Sequence, residues 1–426
     1  MAFHNKGTAL APLLLLHAIC AWGQSGQRPV DDLVFKIVVY GPADDIFIWW
    51  GHAALVVENT RWRYSRVFDW GIFSYPSGSF LQDFLNNQVQ YHSAAETLDY
   101  QPYISEDRDI TVYTLDLEAA AKNLVLDYAE NSVLPENTYY DYHEFRDNCS
   151  TRIRDIVDIG TGGHFKEWAS KTSGRLSIRQ HVRRFTWSRP VQDWLLDFLM
   201  GRDLDAPVTL WDEMFLPVEL GRNITGFSYT GSSGAERRLV RSVEIINASR
   251  ERPPVLNAPL NRWPSVLLTG LLPAALAAAL GVLRRKKPLA GRIAWGIFQA
   301  LAGLAIGLLG CALVYAQFFM KNDYIQQNLN LLFVNPLPLA ALPLGILTAA
   351  GKTRLKPETC LRALWTCVAG GGVLTLLLRP IPALFQRNQS ALALILPLAL
   401  CLCAVNYRTS PRSSGGPHAF FMDTLC

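Results

Sequence analysis

Residues 265–287 read SVLLTGLLPAALAAALGVLRRKK, an uncharged run from Ser265 to Leu283 closed at once by Arg284-Arg285-Lys286-Lys287. At a rise of about 1.5 Å per residue, such a run crosses the roughly 30 Å hydrocarbon layer of a bilayer as a helix. Four more uncharged runs follow: Ile293 to Met320, Leu331 to Gly351, Ala363 to Leu378 and the shorter Ala391 to Val405. Residues 265–405 are therefore predicted to form an all-α polytopic membrane domain of about five helices, with 406–426 as a tail. The short last run leaves a four-span arrangement, with the tail outside, as the alternative.

Lysine and arginine in the connections set the orientation. The first loop carries Arg284, Arg285, Lys286, Lys287 and Arg292, and the third carries Lys352, Arg354, Lys356 and Arg362. The second has Lys321 alone and the fourth Arg379 and Arg387. This bias puts the first and third loops in the cytoplasm, residues 24–264 outside it, and the tail inside. The amino terminus agrees. Lys6, the apolar run Ala9 to Ala21 and the Ala21-Trp22-Gly23 sequence make residues 1–23 a signal peptide, with an uncleaved anchor as the alternative. Ile19 before Cys20 argues against lipidation there.

Over all 426 residues, half are hydrophobic and 18% are charged, with the charges crowded into the first 260 positions. That distribution excludes disorder, collagen and a disulfide miniprotein. A net charge of +4 with no basic stripe gives no sign of nucleic-acid binding. No metal-ligand spacing, phosphate-cradling glycine loop or serine elbow is present, so neither a metal nor a cofactor is expected.

The exported stretch reads as α+β. Leu33 to Tyr40 is a strand rich in Val, Ile, Phe and Tyr, ended by Gly41-Pro42. Ala53 to Val57 is a second strand with Val67 to Phe73 as its hairpin partner, and Asp109 to Leu115 is another. Helical spacing occurs over Phe80 to Val89 and Ala119 to Tyr128. It recurs at Ile153, Ile156, Val157 and Ile159, in a helix capped by Asp147 or Asn148 and stopped at Gly160. Trp187 to Leu199 reads as the apolar face of a further helix, an interfacial membrane contact being the other reading.

Cys149 is the only cysteine of this stretch and falls in the first turn of the Ile153 helix. The positive helix start, with Arg146 or Arg152 nearby, favours the thiolate that attacks a carbonyl carbon. A base is then required from His52, His92, His143, His164 or His181. His52 stands out because Gly51 precedes it and a strand follows. Asp69, on the partner strand, could orient its imidazole. Helix-start amides would meet the oxyanion, with Asn148, Arg152 or Tyr142 from the Tyr139-Tyr140-Asp141-Tyr142 run in support. The competing reading is a cysteine packed in a core, with Asp69 capping a turn. Asn328, Asn330 and Asn335, at the entrance of the third apolar run, are candidate headgroup or substrate contacts. Alternatively, they mark the interfacial end of a helix.

Several motifs together resemble one family. They are Tyr40-Gly41-Pro42 through Trp50-Gly51-His52-Ala53-Ala54-Leu55, Val67-Phe68-Asp69-Trp70-Gly71, Asp147-Asn148-Cys149-Ser150-Thr151-Arg152, Met214-Phe215-Leu216-Pro217, and Asn328 to Leu337. The chain is similar to the Lnb family of lipoprotein N-acyltransferases, with Asp69 standing where asparagine is associated with the relatives. The resemblance implies a permuted papain-like (NlpC/P60-like) exported domain in which the histidine precedes the cysteine. It implies acyl transfer from a membrane phospholipid, through a thioester on Cys149, to the amino-terminal amine of diacylglyceryl-cysteine lipoproteins at the bacterial inner membrane. A membrane-tethered peptidoglycan or peptide hydrolase, a phospholipase, and a non-enzymatic sensor or assembly factor are the rivals.

Overall fold

The computed structural model describes residues 30–351 and 356–409. The signal-peptide reading of residues 1–23 and most of the tail lie outside them. β1 (Leu33–Tyr40), β2 (His52–Asn59), β3 (Tyr64–Ser74), β4 (Gln90–Thr97), β5 (Ile110–Leu115), β6 (Tyr139–Tyr140) and β9 (Val240–Asn247) form one antiparallel sheet, ordered β6-β4-β3-β2-β1-β5-β9. β7 (Ser228–Thr230) and β8 (Glu236–Arg238) make a separate hairpin. The predicted β2–β3 hairpin is present, with Ala54 opposite Asp69.

Alternation along the strands sends apolar side chains to both faces, and both are covered. Phe35, Ile37, Leu55, Phe68 and Trp70 pack with Ile153, Ile156 and Val157 of the helix Cys149–Gly160 and with Val125, Leu126 and Ala129 of the helix Ala119–Ser132. On the reverse face Val38, Ala54, Val56 and Val112 meet Tyr100, Tyr103 and Ile104. The helix read through Val89 stops at Leu85, because Asn87 takes a left-handed backbone (φ 56°) and turns the chain into β4. His164 is exposed and opens the helix His164–Lys171, which buries Phe165 and Ala169 in the same core as Ile153.

Among the described residues, five helical segments are long and apolar enough to cross a membrane: Trp263–Lys286, Pro288–Phe319, Leu329–Ala350, Pro357–Leu378 and Gln389–Tyr407. The third is short helical turns followed by an α-helix from Ala341 to Ala350. The last continues to Thr409, longer than its uncharged run, so the four-span alternative is set aside. Small residues allow close packing: a Cβ on Gly296 would come 2.4 Å from the carbonyl oxygen of Gly345, and the reverse is equally true.

The two loops assigned to the outer side by charge are the ones that grip the exported domain. From the second, Asp323 accepts from His143 at 2.9 Å and pairs with Arg146 at 2.7 Å. From the fourth, Gln386 donates to the carbonyl of Met200 at 3.2 Å, and the Arg387 amide to Asp205 at 2.9 Å. The helix Pro190–Leu199 packs Trp194, Phe198 and Leu199 into the membrane-domain core, while Val191 and Leu195 stay exposed.

Asn328 and Asn330 belong to this junction, which corrects their reading as headgroup contacts. Both are buried. The Asn328 amide donates to the carbonyls of Phe198 and Leu199 at 2.9 and 3.0 Å, and that of Asn330 to Phe198 at 2.9 Å. Carbonyls at the end of a helix lack intrahelical donors, and here the two asparagines supply them. Asn335, half-buried, closes a local turn by donating to Leu331 and accepting from the Leu337 amide.

Candidate active site

His52 is the first residue of β2 and lies opposite Tyr40. Gly51 before it has φ 85°, and a Cβ there would sit 2.6 Å from the Tyr40 carbonyl, so the turn into the strand requires glycine. The strand start aims the imidazole at the β3 side, where Nε2 donates to Asp69 Oδ1 at 2.7 Å. Both side chains retain 17% exposure.

The helix Cys149–Gly160 starts against this edge because its cap is fully built. Asn148 Oδ1 accepts the Thr151 amide at 2.9 Å, and Thr151 Oγ1 accepts the Asn148 amide at 2.7 Å. Below the cap, Ser150 Oγ donates to the Met214 carbonyl and Asn148 Nδ2 to the Phe215 carbonyl, at 2.8 and 3.0 Å. The Met214-Phe215-Leu216-Pro217 motif is thus the seat of the helix start. Cys149 and Ser150 occupy the first two helical positions, whose N–H groups have no acceptor within the helix.

β3 yields to this helix at one point. A bulge between Trp70 and Ile72 places Gly71 at φ 85°, and its missing Cβ would lie 3.7 Å from Cys149 Cβ and 3.1 Å from Tyr142 Cε2. The thiol, 7% exposed, comes beside the imidazole as a second hydrogen-bonding and charge partner. Burial opposes the charged form of His52. The charges of Asp69 and Cys149 outweigh it, so the pKa stands well above the ordinary value for histidine. Of the five candidate histidines, His52 is the one joined to Cys149. His143 faces Asp323, His181 is fully buried against Glu213 at 2.8 Å, His92 lies on β4 near Tyr139, and His164 is on the surface.

The expected supporting residues divide. Asn148 has both amide hydrogens committed, to Glu144 at 2.6 Å and to Phe215, and so lacks a donor for an oxyanion. That expectation is corrected to a capping role. Arg152 is held by Asp147 and stacks over Tyr140 at 4.4 Å, bracing the loop. Tyr142 stays at the site, stacked on Tyr91 at 4.1 Å and pressed against Gly71. Burial first, then the Cys149 charge, push its hydroxyl well above the usual phenol range. Tyr140 is shifted upward by the same two causes, and its buried hydroxyl has no partner among the described residues. Both phenols are therefore neutral hydroxyl donors near the sulfur.

Sequence reading missed Gly71, Tyr91 and Glu144. Glu144 is half-buried, with its pKa raised chiefly by desolvation, and bonds to Tyr324 and Asn322 of the second outer loop. Glycine after Asp69-Trp70 was the available signal for the bulge. Nothing local marked the other two.

Compared with known families, residues 22–184 match the Lnb N-terminal periplasmic domain, and residues 264–410 match the Lnb transmembrane domain. The first match contains His52, Asp69 and Cys149, and the second covers the apolar helices. No curated protein and no solved structure matches the chain.

Proposed function

The chain belongs to the Lnb family and is a multi-pass inner-membrane protein with a periplasmic amino-terminal domain; from that premise we propose that it is a lipoprotein N-acyltransferase. Cys149 is the proposed nucleophile, His52 its acid–base partner, and Asp69 the residue that orients His52. The observation that carries the reading is the hydrogen-bonded Asp69–His52 pair set against a cysteine at the start of a capped helix.

The thiolate attacks the ester carbonyl of a phospholipid, and the oxyanion is met by the amide of Cys149 and by Tyr142 or Tyr140. The carbon–oxygen bond breaks, the departing alkoxide takes the proton of the His52 imidazolium, and a lysophospholipid leaves behind a Cys149 thioester. The amino-terminal amine of a diacylglyceryl-cysteine then attacks that thioester. Its proton passes to His52, and the thiolate is restored. An amine wins this step over hydrolysis where water is scarce. A catalytic domain bonded to the outer loops of its own membrane domain supports that condition, since both substrates are held in the same leaflet.

Mass spectrometry of lipoprotein amino termini tests the proposal. Cells carrying Cys149→Ser as their only copy are expected to lack the third acyl chain. Fully acylated lipoproteins would refute it, and altered muropeptides in such cells would favour the hydrolase.

A further inference from the structure

A cavity of about 170 Å³ lies between the exported domain and the membrane helices, lined by Arg183, Asp193, Trp194, Arg262, Thr269 and Ser390 among others. Thr269 lies in the second turn of the first membrane helix and Ser390 at the start of the last, both at their outer ends. The cavity is therefore at the level of the outer headgroups. Beside it, Leu268 and Leu272 are 67% and 70% exposed, a surface suited to acyl chains.

Its donors outnumber its acceptors. Asp193 is buried and saturated: Arg183 donates to it at 3.1 and 2.8 Å and Thr186 at 2.8 Å. The Arg262 guanidinium donates through Nη2 to the Trp187 carbonyl, while its Nε is left 3.9 Å from Asp193 without a hydrogen bond, and the indole nitrogen of Trp194 is likewise buried without an acceptor among the described residues. Among the lining residues Arg183 and Arg262 share the one carboxylate of Asp193, and Arg183 also reaches Asp197 at 3.6 Å. Orphaned buried donors beside two guanidinium groups call for an anion with several acceptor oxygens. We propose that this cavity binds the phosphodiester headgroup of an outer-leaflet glycerophospholipid. The proposal goes beyond the transfer reaction and holds whether or not the bound lipid is the acyl donor.

The test uses the full chain carrying Cys149→Ala in nanodiscs, so that no thioester chemistry contributes. A photoactivatable phosphatidylglycerol is compared with a diacylglycerol of the same chains. The phospholipid is expected to label peptides of the helices Pro190–Leu199 and Trp263–Lys286 about tenfold more than the diacylglycerol does. Trp194→Phe, which keeps the ring and removes one N–H, and Arg262→Gln should each lower that labelling about tenfold, the loss expected for a hydrogen bond to a charged group. Trp194→Phe preserves the test should Arg262→Gln fail to fold. Equal labelling by the diacylglycerol, or labelling unchanged in a folded Trp194→Phe, overturns the proposal. Protection by inorganic phosphate without phospholipid labelling also overturns it, by identifying a site for free anion.

Discussion

Gly71→Ala is the sharpest perturbation of the site, because its comparison with a control separates backbone strain from crowding beside the nucleophile. An alanine at φ 85° carries a strain of about 1–3 kcal/mol. Its new methyl group would also press at 3.1 Å on the Tyr142 ring, which must give by a few tenths of an ångström beside Cys149, whose Cβ it would meet at an ordinary contact distance of 3.7 Å. Misplacement on the order of 1 Å between reacting groups costs about a hundredfold in rate. Gly78 provides the control: its φ is 77°, it has the same strain to absorb, and nothing lies within 4 Å of its missing Cβ. Both variants should lose a few degrees of thermal stability. In a transfer assay with a fluorescent phospholipid and a diacylglyceryl-cysteine peptide, normalised to folded protein, Gly71→Ala, with a shift of only a few tenths of an ångström, should fall roughly fourfold while Gly78→Ala stays near wild type. Equal activity of the two variants would refute the assignment of Gly71 as the place where β3 admits the nucleophile.

Asn148→Ala removes the cap and strands the carbonyls of Glu144 and Phe215, so unfolding should cost roughly 2–4 kcal/mol less; Asn148→Asp, which keeps only the acceptor, should fall between in a denaturation series. Asp69→Asn removes the charge that opposes the burial penalty on His52. With its pKa raised on folding, the wild-type imidazolium contributes stability that is complete below the unfolded value of about 6.5 and is lost as pH rises through the folded value. In Asp69→Asn this contribution should shrink, and the alkaline limb of the kcat/KM profile should move toward acid pH. An unmoved limb would remove Asp69 from the role of orienting charge. Asn328→Ala orphans buried carbonyls of Phe198 and Leu199, and limited proteolysis should release the exported domain from the membrane domain faster than in wild type.

The parts of this architecture legible in the sequence are those with local causes. Cap chemistry at Asn148 and apolar periodicity to Ile159 define the nucleophile helix, and uncharged length with flanking arginines defines the membrane spans. His52 could be chosen among five histidines because Gly51 and the following strand are also local signals. β4 escaped because Gln90–Thr97 is polar and short-chained, becoming a strand only by pairing with β3 and β6. β9 is an edge strand whose residues are mostly exposed, leaving no apolar alternation to read. Asn328 and Asn330 were misread for a related reason: amides beside an apolar run suggest a wet surface. Their actual acceptors are carbonyls 129 to 132 positions away at the end of another helix. Asn148 was one of two candidate caps with Asp147, but the carbonyls that consume its amide hydrogens come from Glu144 and Phe215, and the latter is 67 positions downstream.

Intact-protein and peptide mass spectrometry of the chain incubated with phospholipid alone, without an amine acceptor, bears most directly on whether the sulfur of Cys149 carries the acyl group. The account predicts one acyl adduct on the Cys149 peptide, released by neutral hydroxylamine and absent in His52→Ala. An adduct on another residue, or undiminished lipoprotein N-acylation by Cys149→Ala, would contradict it.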